Sequence, residues 1–116
     1  MEIDFLIITS DSSTGKSLVG QLPRDLYRAR TLTSLKAMDD ELSDLSRFIA
    51  AVDIDTIEPD IQRIRALKQK FSNMVLLAFS ERKFHPEHKD VLSNHFFACL
   101  SKPVDVHDML YLIKDL

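Results

Sequence analysis

Hydrophobic and polar positions along the chain follow two patterns in turn. Short apolar runs predict buried strands, and apolar residues spaced three or four positions apart predict helices with one buried face. The clearest run is Phe48–Val52, which leads straight into Asp53. A strand without polar alternation is typical of a parallel sheet that helices cover on both faces. The pattern therefore places Asp53 at the carboxyl end of a buried strand, where open α/β sheets bind ligands. A simple cap of the following turn is the alternative role for this aspartate.

Four more strands and five helices follow from the same two patterns. The strands are Ile3–Thr9, Tyr27–Leu32, Met74–Ala78 and Phe96–Ser101. Helices are expected after Ser10–Ser13, from Thr33, after Pro59-Asp60, from Pro86 to near Ser93, and from Asp105. Their inward apolar residues are predicted to be Leu18, Val19, Leu22, Leu35, Met38, Leu42, Leu45, Ile61, Ile64, Leu67, Phe71, Val106, Met109, Leu110 and Ile113. Five alternations predict one α/β domain, a doubly wound (βα)5 fold with a parallel five-stranded sheet.

Composition narrows the possible classes of protein. The chain has 116 residues, 45% hydrophobic and 28% charged, which is enough for one soluble domain with a real core and too little for two. A net charge of -3 without a dense Lys/Arg run argues against direct nucleic-acid binding. The single cysteine cannot build a disulfide framework, so a cytoplasmic location is expected. No apolar run is long enough to span a membrane. The amphipathic pattern still running at Leu116 suggests a segment of a longer polypeptide.

One short motif favours nucleotide binding. The segment Ser10–Ser17 follows a strand, precedes a helix and ends in Gly15-Lys16-Ser17, as a phosphate-binding P-loop does. The motif requires glycine where this chain has Ser10, because the loop backbone must approach the phosphates closely. Although Ser10 departs from the motif, the Gly-Lys-Ser ending between a strand and a helix keeps a small P-loop-like nucleotide-binding protein as an alternative hypothesis.

The carboxyl-terminal segment carries a more extensive pattern. Phe97–Asp105 contains Lys102-Pro103 and is followed by the apolar stripe of the last helix, and Asp53 lies after the third strand. This pattern resembles the receiver domain of response regulators in two-component phosphorelay signalling, over residues 3–116. The resemblance implies a flavodoxin-like sheet with strand order 2-1-3-4-5, no enzyme activity of its own, Asp53 as phosphoacceptor and Lys102 as its charge partner. It also implies a sensor histidine kinase as partner and an output domain downstream, with residues 1–116 as the amino-terminal receiver-like domain of a longer signalling protein.

Several positions depart from the family's pattern. The acidic pair that holds magnesium would fall at Thr9 and Ser10, so Asp11, Asp53 and Asp55 are left as weak candidate ligands for Mg²⁺. The switch hydroxyl and aromatic would fall at Ala78 and Cys99. We therefore expect an atypical receiver with an impaired phosphoacceptor pocket, which acts mainly through protein–protein interaction or dimerisation. A working phospho-aspartate switch at Asp53, and so a phosphoprotein, is the alternative.

The last helix predicts where such an interaction would occur. With Val106, Met109, Leu110 and Ile113 turned inward, Tyr111, Leu112 and Leu116 fall on its sides and outer face. Large apolar groups there favour a partner surface. The expectation is a homodimer formed through the final helix, the face that receiver domains commonly use.

Overall fold

The computed structural model describes residues 3–42, 48–82 and 85–114. Within these residues, strands and helices alternate along the chain. The strands are β1 (Ile3–Ile8), β2 (Tyr27–Leu32), β3 (Phe48–Asp53), β4 (Met74–Ser80) and β5 (Ala98–Ser101). The helices are α1 (Ser12–Gln21), α2 (Leu35–Glu41), α3 (Ile61–Lys70), α4 (Lys89–His95, preceded by a 3-10 turn at Pro86–His88) and α5 (Val106–Ile113).

All five strands pair in parallel, in the order β2-β1-β3-β4-β5. The predicted (βα)5 sheet with strand order 2-1-3-4-5 is confirmed. The register pairs Ile8 with Val52, and Asp53 with Phe79. Because parallel strands end at the same edge of a sheet, the residues that follow β1, β3, β4 and β5 are brought together there.

The two faces of the sheet carry separate cores. Along β1, Leu6 and Ile8 pack toward α2, α3 and α4, whereas Phe5 and Ile7 pack toward α1 and α5. All four side chains are fully buried. Burial on both faces explains why β1 and β3 read as continuous apolar runs rather than as alternating ones. Each such side chain contributes roughly 1.5–3 kcal/mol of stability, so the core and not the polar edge maintains the fold.

Aspartate or serine side chains begin four of the helices. Asp11, Ser34, Asp60 and Asp105 each accept hydrogen bonds from backbone N–H groups of the first turn of α1, α2, α3 and α5. These bonds satisfy donors that have no partner inside the helix. The last helix, predicted to begin at Asp105, has Asp105 as its cap. None of the described helices is long and apolar enough to cross a lipid bilayer.

Several element boundaries differ from the prediction. β1 ends at Ile8 instead of Thr9. β4 continues through Ser80 instead of ending at Ala78. β5 begins at Ala98 because Phe96 N–H donates to the carbonyl of Leu92, which makes Phe96 the end of α4. The fourth helix consequently extends to His95. Leu45, predicted in the stripe of α2, lies outside the described residues.

Candidate functional site

Asp53 is the centre of a polar cluster at the carboxyl edge of the sheet. Its side chain is 0% exposed. Its Oδ2 accepts a hydrogen bond from Thr9 Oγ1 at 2.8 Å, and its Oδ1 accepts one from the N–H of Asp55 at 3.1 Å. The ammonium of Lys102 lies 2.8 Å from the same Oδ1. Thr9 Oγ1 also accepts from the N–H of Asp11, so the hydroxyl proton is directed at Asp53. Both carboxylate oxygens are therefore engaged.

Lys102 bridges two carboxylates. Its Nζ lies 2.8 Å from Asp53 Oδ1 and 3.0 Å from Asp55 Oδ2, with the side chain 17% exposed. The same nitrogen lies 5.5 Å from the centre of the Phe79 ring. Burial disfavours the charged amine, but hydrogen bonds and charge attraction from Asp53 and Asp55 outweigh it and raise the pKa of Lys102. The lysine is thus a fixed cation shared between two anions.

Asp55 sits among hydrogen-bond donors from two other elements. Its Oδ1 accepts from Ser80 Oγ at 2.6 Å, and its Oδ2 accepts from the N–H of Glu81 at 2.8 Å. Partial burial opposes its charge, yet the bonds from Ser80, Glu81 and Lys102 lower the pKa of Asp55 to about 2. Asp55 is therefore a permanently charged acceptor near neutral pH.

Ser80 is a site residue that the sequence analysis missed. We expected the fourth strand to end at Ala78 and therefore expected no hydroxyl at its end, which is wrong. Ser80 is the last residue of β4 and is fully buried. The signal was present in the sequence, since the apolar Phe79 continues the strand pattern for one more residue before Ser80.

Asp11 was predicted as a weak metal ligand, but its carboxylate accepts hydrogen bonds from the first turn of α1. Its Oδ1 accepts from Ser13 N–H at 3.1 Å and from Ser13 Oγ at 3.1 Å, and its Oδ2 accepts from Thr14 Oγ1 at 2.9 Å. These hydroxyl and amide bonds lower the pKa of Asp11. Its carboxylate is accordingly used as the cap of α1.

The polar cluster does not fit a divalent cation as it stands. Mg²⁺ needs six oxygen ligands in near-octahedral geometry around one point, usually several waters together with one or two carboxylates. Here Thr9 supplies a hydroxyl and not a carboxylate, Asp11 caps α1, and the ammonium of Lys102 contacts the carboxylates of both Asp53 and Asp55. In residues 3–42, 48–82 and 85–114, no three His, Cys, Asp or Glu side chains are grouped in a way that could hold a metal ion.

Comparison with solved structures identifies the architecture. A response regulator from Thermotoga maritima superimposes with a TM-score of 0.81 at 13% identity, covering 99% of this chain and 97% of that one. A response regulator receiver domain from Clostridium thermocellum gives 0.75 at 15% identity, with 97% and 92% covered. The chain has the receiver-domain fold. A Burkholderia pseudomallei response regulator, solved with a phosphorylated aspartic acid, calcium ion and citrate, gives 0.75 at 18% identity. The superposition with the Burkholderia structure covers 96% of this chain and 66% of the Burkholderia chain.

Sequence comparisons give no further assignment. No protein-family model matches the chain, and a search of curated proteins found no match. Identities of 13–18% to the three solved structures show the fold alone.

The P-loop-like segment has a structural role in this receiver fold. Ser12 already begins α1, so Gly15, Lys16 and Ser17 are helical, and no long loop is left to surround phosphates. A Cβ at Gly15 would lie 2.6 Å from Thr31 Cγ2 of β2, closer than real contacts allow. Gly15 thus permits close packing of α1 on the sheet. The segment is helical where a phosphate-binding loop would be needed, which argues against the nucleotide-binding hypothesis.

Two of the three predicted interface residues, Tyr111 and Leu112, lie on the exposed side of α5. Val106, Met109 and Ile113 are buried and Leu110 is half-buried, whereas the side chain of Tyr111 is exposed. Tyr111 is 69% exposed and Leu112 is 42% exposed. The ammonium of Lys114 lies 4.3 Å from the centre of the Tyr111 ring. Leu116 lies outside the described residues. Among the described residues, Leu26 and Phe97 are also exposed large apolar residues, and neither was predicted to be exposed.

Proposed function

We propose that this chain is a regulatory receiver domain of a two-component signalling protein whose phosphoacceptor pocket is impaired, and that it acts mainly through protein–protein contacts. The receiver fold supports the regulatory class. The observation that carries the impairment is the complete burial of Asp53, with hydrogen bonds or an ion pair on both of its oxygens.

Phosphoryl transfer depends on positioning and on charge neutralisation. An attacking oxygen must reach the phosphorus in line, and cations must balance the charge of the transferred group. At Asp53, attack requires loss of the contact with Thr9 or with Lys102, and the cluster offers no fitting place for a divalent cation. The positive charge of Lys102 is already shared by two carboxylates. Each of these features slows phosphorylation of Asp53.

The partners follow from the receiver class. We propose a cytoplasmic module without enzymatic activity and without direct contact with nucleic acid. Its proposed partners are a sensor histidine kinase and an output domain in the same polypeptide. Its own contact surface is the exposed part of α5, where Tyr111 and Leu112 present apolar area to solvent. A twofold homodimer would cover this patch in both copies at once.

Sedimentation velocity of residues 1–116 at tens of micromolar tests the interaction. We expect a dimer for the parent domain and for Asp53→Asn, because association does not require phosphorylation. The double substitution Tyr111→Glu with Leu112→Glu should give a monomer. Leu26→Glu is the matched control, since Leu26 is an apolar residue outside α5 whose exposure lies between those of Tyr111 and Leu112. A monomeric parent domain, or a dimer that both α5 substitutions leave intact, would refute the proposed surface.

A working phospho-aspartate switch at Asp53 remains the second candidate function. Ser80 favours it, because a buried hydroxyl at the end of β4 and a lysine from the β5–α5 connection converge on one edge of the sheet. The Burkholderia structure shows that a protein of this fold can carry a phosphorylated aspartate with a calcium ion. Rapid labelling of Asp53 by a phosphodonor would support this candidate over the impaired pocket.

A further inference from the structure

Helix α3 carries a charge opposite to that of the chain as a whole. It contains 4 of the 15 lysines and arginines and none of the 18 aspartates and glutamates, although the net charge of the chain is -3. Lys70 is neutralised by an ion pair with Asp39 of α2 at 2.8 Å. Among the described residues, neither Arg65 nor Lys68 pairs with a carboxylate. These two residues therefore keep a positive charge that the domain does not compensate.

Arg65 and Lys68 act together on the end of α4. The ammonium of Lys68 donates to the backbone carbonyl of His95, the last residue of α4, at 2.8 Å. Burial and the charges of Lys68 and Arg65 lower the pKa of His95, and no carboxylate opposes this shift. A cation near a helix end can simply complement the helix dipole, but this effect is confined to the last turn and Arg65 lies in the middle of α3. The dipole therefore does not account for the whole cluster.

An exposed aromatic ring follows this cluster in the chain. Phe97 lies two residues after His95 and is 51% exposed. Its backbone N–H donates to the carbonyl of Leu76 at 2.7 Å, so the residue is held beside β4 and not on a loose loop. The neighbouring Phe96 is buried in the core under α3 and α4. Aromatic residues and arginine are the types enriched where protein surfaces meet.

We propose that Arg65, Lys68, His95 and Phe97 form a docking surface, the α3–α4 surface, for an acidic segment of a partner protein that carries an apolar side chain. Charge complementarity selects the partner, because the surface presents cations and no anion. Lys68 has three N–H groups and uses one of them on His95, so its other donors can reach carboxylates of the segment. The apolar side chain would cover the ring of Phe97.

The α3–α4 surface is separate from the α5 patch and from Asp53. α3 and α4 pack on one face of the sheet and α5 packs on the other. Each helix returns antiparallel to the strands, so Lys68 and Phe97 lie toward the amino edge of the sheet, whereas Asp53 lies at the carboxyl edge. A partner can therefore bind without any change at Asp53. The proposal goes beyond the proposed homodimer by adding a second contact surface that is independent of phosphorylation.

Titration of residues 1–116 with an acidic peptide tests the proposal. The probe is a hexapeptide of glutamate and aspartate with one central phenylalanine, at about 0.1 M salt, where charges more than about 10 Å apart are screened. The imidazole of His95, followed by NMR, is the reporter. We expect a saturable shift and a raised pKa of His95 in the complex, because a nearby anion favours the charged imidazole. Arg65→Glu should weaken binding about tenfold or more.

Arg63→Glu is the matched control for Arg65→Glu. It makes the same charge change in the same helix, but Arg63 lies beside Ser34 and Lys36 on the α2 side. We expect it to change the affinity by no more than about twofold. Phe97→Ala should weaken binding of the phenylalanine peptide and leave binding of the same peptide with alanine in its place unchanged.

Three results would overturn the proposal. They are the absence of a saturable shift in the parent domain, equal weakening by Arg63→Glu and Arg65→Glu, and binding to phosphatidylserine vesicles in place of the peptide. Arg65 is exposed and forms no ion pair within the described residues, so its variants should fold, and Arg65→Ala repeats the test without adding a carboxylate. Tyr111→Glu with Leu112→Glu should bind the peptide like the parent domain. Failure of the peptide titration would therefore leave the dimer test unaffected.

Discussion

Replacement of Lys102 by methionine tests the charge balance of the site. Methionine keeps the length and the contact with the Phe79 ring but removes the ammonium that lies 2.8 Å from Asp53. Removing one partner of a buried ion pair typically costs about 3–5 kcal/mol, because the other charge stays buried and uncompensated. Asp53 would retain its hydrogen bonds from Thr9 and from the Asp55 N–H.

These remaining bonds place the expected cost at the lower end of the range. The pair of Lys102 with Asp55 is partly exposed, with 23% of the Asp55 side chain accessible, and should contribute no more than about 1 kcal/mol. We therefore expect Lys102→Met to lower the free energy of unfolding by about 3 kcal/mol near neutral pH. Since small domains have about 5–15 kcal/mol of total stability, the variant should remain folded at room temperature.

Equilibrium urea unfolding, followed by far-UV circular dichroism because the chain has no tryptophan, measures this cost. Asp53→Asn added to Lys102→Met should recover at least about 1.5 kcal/mol, because no buried charge is then left without a partner. Lys16→Met is the matched control at an exposed lysine of α1, and should change stability by less than about 0.5 kcal/mol. A cost below about 1 kcal/mol for Lys102→Met, with no recovery from Asp53→Asn, would refute this reasoning.

Two further predictions concern packing and pH. Gly20→Ala should stabilise the domain by about 0.5–1 kcal/mol, because its Cβ meets nothing within 4 Å and helix propensity improves. Gly15→Ala should instead destabilise it by about 1–2 kcal/mol, since the same gain is outweighed by overlap with Thr31, and equal urea midpoints for the two variants would contradict this. The pKa of Asp55 is lowered from 3.8 to about 2, so its charged form stabilises the fold above pH 4 and this contribution is lost as pH falls toward 2. After allowance for solvent exposure the loss is about 1 kcal/mol, and Asp55→Asn should show a correspondingly flatter stability profile between about pH 5 and pH 2 in urea unfolding.

The fold and Asp53 could be predicted from the sequence for a physical reason. Burial on both faces makes β3 an uninterrupted apolar run, and Asp53 marks its end. Lys102 was reached through the resemblance of its Lys-Pro segment to receiver domains. Neither identification depended on the geometry of side chains.

Which of the remaining residues touch one another at the site depends on tertiary contacts that no local pattern contains. Ser80 enters the site because pairing with β5 extends β4 beyond its most apolar part. Asp55 turns toward Ser80 and Glu81, which lie 25 and 26 positions further along the chain. Asp11 did carry a local signal, because an aspartate followed by Ser and Thr before an apolar helix favours a cap over a metal ligand.

Intact-mass spectrometry of the domain after incubation with magnesium and a small phosphodonor such as acetyl phosphate tests the central claim most directly. We expect no gain of a phosphoryl group, or only slow gain, because Asp53 is buried with both oxygens engaged and the site does not fit a divalent cation. Asp53→Asn should likewise show no gain of a phosphoryl group. Rapid, magnesium-dependent addition of one phosphoryl group that Asp53→Asn abolishes would contradict the impaired pocket and establish a working switch.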